Sequence, residues 1–264
     1  MTKSLLLAAT LLLLTVTTSF AQRGTLSLGW NNCRVNGGGV PNATFACNTN
    51  GGEGPLLVGS FTPNASANLQ SLNSAYLYVD IYQSDTNLNA WWQFTDPPVT
   101  GCRSLSIWSL DVANGAGATC DRSYWSEVGS PISLVRWFFP TYRPNHGTLR
   151  ILVAVDGQVA GQTPQIGVGE ESFIFGARLG NQGSMGPGSC SGCADPSHLY
   201  FAEAEFFQSN FDNFTIDAVG PGNYPGDGPK CATWQVTPPV VDACPNDGSP
   251  VRNTTWGSIK SIYR

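Results

Sequence analysis

Between residues 76 and 82 apolar and polar positions alternate without a break. Leu77, Val79 and Ile81 point one way, while Tyr76, Tyr78, Asp80 and Tyr82 point the other. A period of two is the mark of a β-strand with one face in a core. Similar runs recur at 25–30, 43–47, 56–61, 105–108, 134–139, 149–155, 172–179, 199–207, 214–219 and 232–236. Turn residues separate them, among them Gly37-Gly38-Gly39 and Gly51-Gly52. Many short runs with turns between them predict an all-β chain: an antiparallel β-sandwich of jelly-roll type.

The two ends break this pattern. Lys3 is followed by an apolar run over 5–16 and by Ser19-Phe20-Ala21, which puts small residues at −3 and −1 of a cleavage site. Residues 1–21 therefore read as a secretory signal peptide, too short to span a membrane. The expected mature chain is one domain over 22–264, secreted to the periplasm or the exterior. At the far end Trp256, Ile259, Ile262 and Tyr263 share one helical stripe, which predicts a short C-terminal helix over about 254–264. The glycine-rich stretches 180–195 and 220–229 read as long loops, a class that tends to carry function or to move.

Composition sharpens the compartment and removes several partners. The 264 residues include eight cysteines: Cys33, Cys47, Cys102, Cys120, Cys190, Cys193, Cys231 and Cys244. An even count in an exported chain reads as disulfides. Short loops favour nearest-neighbour pairing, 33 with 47, 102 with 120, 190 with 193 and 231 with 244. One Cys-x-x-Cys and two histidines are too few for a structural zinc site. A net charge of −5 with no Lys/Arg run gives nucleic acid nothing to bind. No apolar stretch after residue 21 is long enough to cross a membrane as a helix.

Two classes of function stay open. In the first, Tyr76, Tyr78, Asp80 and Tyr82 form an outward row that binds a ligand, such as an extracellular glycan or a surface component. In the second, Glu203 and Glu205, at i and i+2 on one strand face, act as the carboxylate pair of a jelly-roll glycoside hydrolase. The discriminating feature is whether that pair lies in a deep cleft or on a flat face. The tryptophans, Trp91, Trp92, Trp108, Trp125 and Trp137 among them, read as core. His146 and His198 read as surface turn residues. Cys190-Ser-Gly-Cys193 reads as a structural turn disulfide, because no helix follows to activate a thiol. Asp195, Asp212 and Asp227 sit in oxygen-rich loops of the kind that hold a structural calcium. No other cofactor is expected. Four Asn-x-Ser/Thr sequons, at Asn42, Asn64, Asn213 and Asn253, matter only in a eukaryotic secretory pathway.

Phe-Ala-Cys-Asn-Thr-Asn at 45–50, Leu-Leu-Val-Gly-Ser-Phe at 56–61, Trp-Trp-Gln-Phe at 91–94 and Gly-Cys-Arg-Ser-Leu-Ser at 101–106 occur in that order. Cys-Ser-Gly-Cys at 190–193 and Thr-Trp-Gly-Ser-Ile-Lys-Ser-Ile-Tyr-Arg at 255–264 complete the set. Together they resemble a group of exported, β-rich bacterial proteins along nearly the whole mature length. The resemblance implies export, a single domain and a bacterial source. It brings no activity and no catalytic residue.

Overall fold

A computed structural model describes residues 24–64, 72–83, 87–113, 118–139, 145–156, 166–209, 213–217 and 230–236. The expected signal peptide, the C-terminal helix, Asp212, Asp227 and Cys244 lie outside them. In chain order the described residues form β1 (Gly24–Trp30), β2 (Asn42–Ala43), β3 (Leu56–Pro63), β4 (Leu72–Tyr82), β5 (Phe94–Thr95), β6 (Arg103–Ser104) and β7 (Trp108–Asp111). Then come β8 (Arg122–Ser123), the single-turn helix α1 (Tyr124–Val128), β9 (Ser130–Phe138) and β10 (His146–Asp156). The series ends with β11 (Ser172–Leu179), β12 (Ser197–Gln208), β13 (Phe214–Asp217) and β14 (Cys231–Trp234).

The strands make an antiparallel β-sandwich, as the alternation predicts. One sheet runs β1-β3-β11-β7, with β8 beside β11; the other runs β2-β14-β12-β4-β10-β9, with β13 beside β12. The chain crosses between the two sheets from β3 to β4, from β8 to β9, from β10 to β11 and from β11 to β12, while β5 and β6 pair in a small two-stranded sheet of their own. Leu77, Val79 and Ile81 of β4 and Leu149, Ile151 and Val153 of β10 line the interior against Leu26, Leu28 and Leu57. Trp30, Trp91, Trp92, Trp125 and Trp234 are fully buried, so the tryptophans are core as expected. In β12 the register shifts between Phe201 and Glu203. This bulge turns Ala204 and Phe206 inward where simple alternation from Phe201 would turn them out.

Six of the cysteines, Cys33, Cys47, Cys102, Cys120, Cys190 and Cys193, do not pair with their sequence neighbours. Cys33 bonds Cys120, Cys47 bonds Cys193, and Cys102 bonds Cys190. Cys231 is also disulfide-bonded, and no described cysteine is free. Short loop closure is the wrong guide here, because the sheets bring distant loops together first. The bridge Cys33–Cys120 ties a segment over 31–40 across the outer face of the β1-β3-β11 sheet. There Cys33, Leu56, Val58 and Phe173 form a second small core. Glu171, fully buried, accepts from the backbone N–H groups of Val35 and Asn36 and from the Ser60 hydroxyl.

The 180–195 loop is tied to Cys47, Cys102, Arg103 and Trp234, at one end of the sandwich instead of over the tyrosines. Two disulfides anchor it, and Trp234 donates its indole N–H to the Cys193 carbonyl. Buried Arg103 donates to the carbonyls of Gln182, Gly180 and Trp91 and stacks 3.8 Å over the Trp91 ring. Burial pulls the Arg103 pKa down, while these acceptors and the ring favour the charged form.

Candidate binding face

Strand register turns the outer side of the β12-β4-β10-β9 sheet into a lattice of rows. Tyr78 of β4 lies opposite Arg150 of β10 and Glu203 of β12, and Arg150 lies opposite Arg136 of β9. In the next row Tyr76 has Leu152 on one side and Glu205 on the other, and Leu152 faces Leu134. Asp80 lies between Thr148 and Tyr200, and Tyr82 between His146 and His198. The sequence gives two competing candidates, a tyrosine row and a glutamate pair. The structure places them side by side on one face.

The tyrosine rings are half-buried and already partnered. The Arg150 guanidinium sits 4.2 Å over the Tyr76 ring and 5.1 Å over Tyr78. Phe207 meets Tyr76 edge-on at 5.3 Å. Partial burial raises the Tyr78 pKa, and the nearby Glu205 carboxylate adds to the rise. Asp80 accepts from the Thr148 hydroxyl and pairs with His146 Nε2 at 3.0 Å. His146 is therefore a largely buried residue at the start of β10, not a surface turn residue. It and His198 flank the Tyr82 ring at 6.3 and 6.5 Å. His198, too, stands in a strand, β12.

Glu203 and Glu205 do share a face, as i and i+2 require. Such neighbours stand roughly 6.7 Å apart along a strand. They lie on the outer side of the sheet, and the described residues build no deep cleft around them. Glu205 borders a shallow concavity together with Phe207, Asn213 and Thr215.

Sequence reasoning missed the apolar margin of this face. Ile132, Leu134 and Phe138 of β9 are 63%, 46% and 39% exposed. The run Ser-Pro-Ile-Ser-Leu-Val-Arg-Trp-Phe mixes apolar residues on both parities, which hides its faces. An edge strand reads that way, since only Trp137 on its inner side is well buried. The edge itself is blunted. Asp96 accepts the outward Trp137 N–H at 2.9 Å and pairs with Arg136. Pro131, six residues earlier and so in the same phase, has no N–H to offer. With both ends of the edge occupied or donorless, the usable surface is the sheet's face, not its rim.

The other sequence candidates do not form a site among the described residues. Cys190 and Cys193 each bond a distant cysteine and not each other. Asp195 takes a hydrogen bond from Asn89. No described group of three or more His, Cys, Asp or Glu side chains is placed to hold a metal ion. No described helix is long and apolar enough to cross a membrane.

No protein-family model and no curated protein matches the chain. Three solved structures overlap it loosely. A cohesin module from a Clostridium perfringens family 33 glycoside hydrolase aligns at 9% identity and a TM-score of 0.30, over 80% of this chain and 93% of that one. The second type II cohesin module of the cellulosomal adaptor ScaA scaffoldin of Acetivibrio cellulolyticus gives 8% and 0.30, over 74% and 90%. The Iho670 flagellar-like filament gives 9% and 0.19, over 82% and 92%. At these scores the overlaps carry neither partner nor activity to this chain.

Proposed function

We propose that the protein is a secreted, non-catalytic association module whose working surface is the outer face of the β12-β4-β10-β9 sheet. The observation that carries this reading is the exposure of Ile132, Leu134 and Phe138 beside the tyrosine row, on a face bearing both Arg136 and Glu205. Contiguous apolar surface rimmed by charge marks an interaction site. Disulfides through the fold fit an oxidising compartment. The partner is better sought among protein surfaces than among glycans. A sugar stacks on a bare ring face, and Arg150 occupies the faces of Tyr76 and Tyr78. Among the described residues, Glu203 and Glu205 have no cleft of the kind that would desolvate a glycosidase pair and distort a sugar.

The test is a retention panel. Glycans, envelope fractions of the producing cell and the protein itself are immobilised, and wild type, Leu134→Asp, Tyr78→Ala and Val168→Asp are passed over them. Val168 is 66% exposed, and its neighbour Gly169 bonds the Pro63 carbonyl at the end of β3, in the other sheet. Whichever surface retains wild type should lose Leu134→Asp and Tyr78→Ala at least about tenfold and keep Val168→Asp. Retention indifferent to the first two variants would refute the reading. So would polysaccharide hydrolysis that disappears in Glu203→Gln.

A further inference from the structure

The outer face changes character across its strands. In the row beyond Tyr76, Ile132 of β9 and Phe207 of β12 stand at the sides, with only Ala154 of β10 and Ser74 of β4 between them. In the Tyr76 row Leu134 stands on the β9 side and Glu205 on the β12 side, with Leu152 and Tyr76 between. The two rows make a shallow trough over β10 and β4, apolar along the β9 side and bordered by a carboxylate along the β12 side. None of the ion pairs among the described residues uses Glu205. Three strand spacings, about 14 Å, separate β9 from β12, which admits one helix about 10 Å across. The sequence after β14 offers a segment of that pattern. Trp256, Ile259, Ile262 and Tyr263 form the apolar stripe of the helix expected over 254–264. Lys260 and Arg264 fall on one flank of that stripe and Ile262 on the other, and no acidic residue follows Asp247. The stripe suits the trough, the basic flank suits Glu205, and Ile262 suits Leu134.

We propose that residues 254–264 bind this trough within the same chain and compete there with the external partner. The proposal rests on the reading of this face as the working surface and names its regulation. The reach is sufficient. β14 lies beside β12 in this sheet, and Trp234 is paired with Ser197. From there the trough is roughly 12 Å across the strands and roughly 23 Å along them, or about 25 Å in all. The residues from 237 to 253 span on average about 23 Å as a flexible chain. A tether of that length sets an effective concentration on the order of millimolar. Against a dissociation constant of about 0.1 to 1 mM, ordinary for so short a stripe, the segment covers the face half of the time or more. It is also releasable. The cover on the opposite face is pinned by Cys33–Cys120, whereas residues 245–264 contain no cysteine.

Hydroxyl-radical footprinting of the whole mature protein tests this by reading side-chain solvent access. Ile259→Asp should raise labelling of Ile132 and Leu134 at least about twofold and leave Val168 unchanged. Lys260→Glu and Glu205→Lys should each raise it as well, and the double variant should return towards wild type because the pair is restored with its signs exchanged. Wild-type protection should not depend on protein concentration, since the contact lies within one chain. In the retention panel Ile259→Asp should be held at least about twofold more tightly than wild type, because its competitor is gone. Benzoylphenylalanine placed at Leu134 gives a second reading that needs no charge reversal: on irradiation it should cross-link to a peptide from 251–264 of the same molecule. Labelling unchanged in Ile259→Asp, protection that grows with concentration, or a cross-link that never reaches 251–264 would each overturn the proposal. If labelling is unchanged while Leu134→Asp still loses retention, the binding face stands and only this competitor is removed. If Ile259→Asp exposes the face while retention ignores Leu134→Asp, the segment is confirmed and the external partner fails.

Discussion

The two outer faces of the sandwich are treated in opposite ways. On the β1-β3-β11 sheet the outer side chains are covered. The 31–40 segment crosses them, Cys33–Cys120 pins it, and Glu171 takes its backbone N–H groups. Val58 and Phe173 on that side are fully buried. On the β12-β4-β10-β9 sheet the outer side keeps Leu134 and Ile132 about half exposed or more. The same chain has a way to hide an apolar sheet face and uses it on one side only. Cover contributes stability, and a face left bare contributes little to it. What the bare face can contribute is recognition.

Substitutions on the two faces should therefore part widely. The largest effect is expected at Phe173, whose removal empties the second core. Phe173→Ala should cost about 3–5 kcal/mol, or roughly 10 °C in Tm, whereas Phe138→Ala on the bare face should cost under about 1 kcal/mol. Equal losses in a pair of thermal melts would break the comparison. Glu171→Ala comes next. It leaves two donors of the covering segment and the Ser60 hydroxyl of β3 without their acceptor, for a loss of about 3 kcal/mol by chemical denaturation. A loss below about 1 kcal/mol would show that the cover is not held by this carboxylate.

Tyrosine titration gives a smaller, pH-dependent contrast. Burial pushes Tyr124 up to about 12, while the half-exposed Tyr78 is raised less. An unfolded tyrosine releases its proton near pH 10, so between pH 10 and 12 the unfolded state binds fewer protons than the folded one. Stability should then fall as pH rises, by on the order of 1.4 kcal/mol per pH unit from Tyr124. Tyr124→Phe should flatten that slope in alkaline denaturation, and Tyr78→Phe should leave most of it. A slope unchanged by Tyr124→Phe would contradict the assignment.

Much of this was readable in the sequence wherever one strand could speak alone. Alternation over 76–82 fixed which residues of β4 face out, and the i, i+2 spacing fixed that Glu203 and Glu205 share a face. The adjacency of those two sets was not readable, because it depends on β12 and β4 being neighbours some 120 residues apart. Three of the four expected disulfides differ for the same reason: loop length is a local guide, and the pairing of Cys33, Cys47 and Cys102 is set by sheet packing. His146 was misread because Pro144 and Gly147 beside it suggest a turn, whereas Gly147 in β10 makes room for the Trp137 ring. The bare margin of β9 was hidden by a run with apolar residues on both sides. Arg103 gave no signal at all, since a buried arginine satisfied by carbonyls looks in sequence like any surface arginine.

The central claim is that the bare face serves binding and not folding, and Leu134→Asp tests it most directly when melting and retention are measured on the same preparation. The account predicts a Tm within about 2 °C of wild type and a loss of at least about tenfold in retention on whichever surface holds the wild-type protein. A Tm lowered by roughly 8 °C or more with retention intact would show that this face belongs to the core.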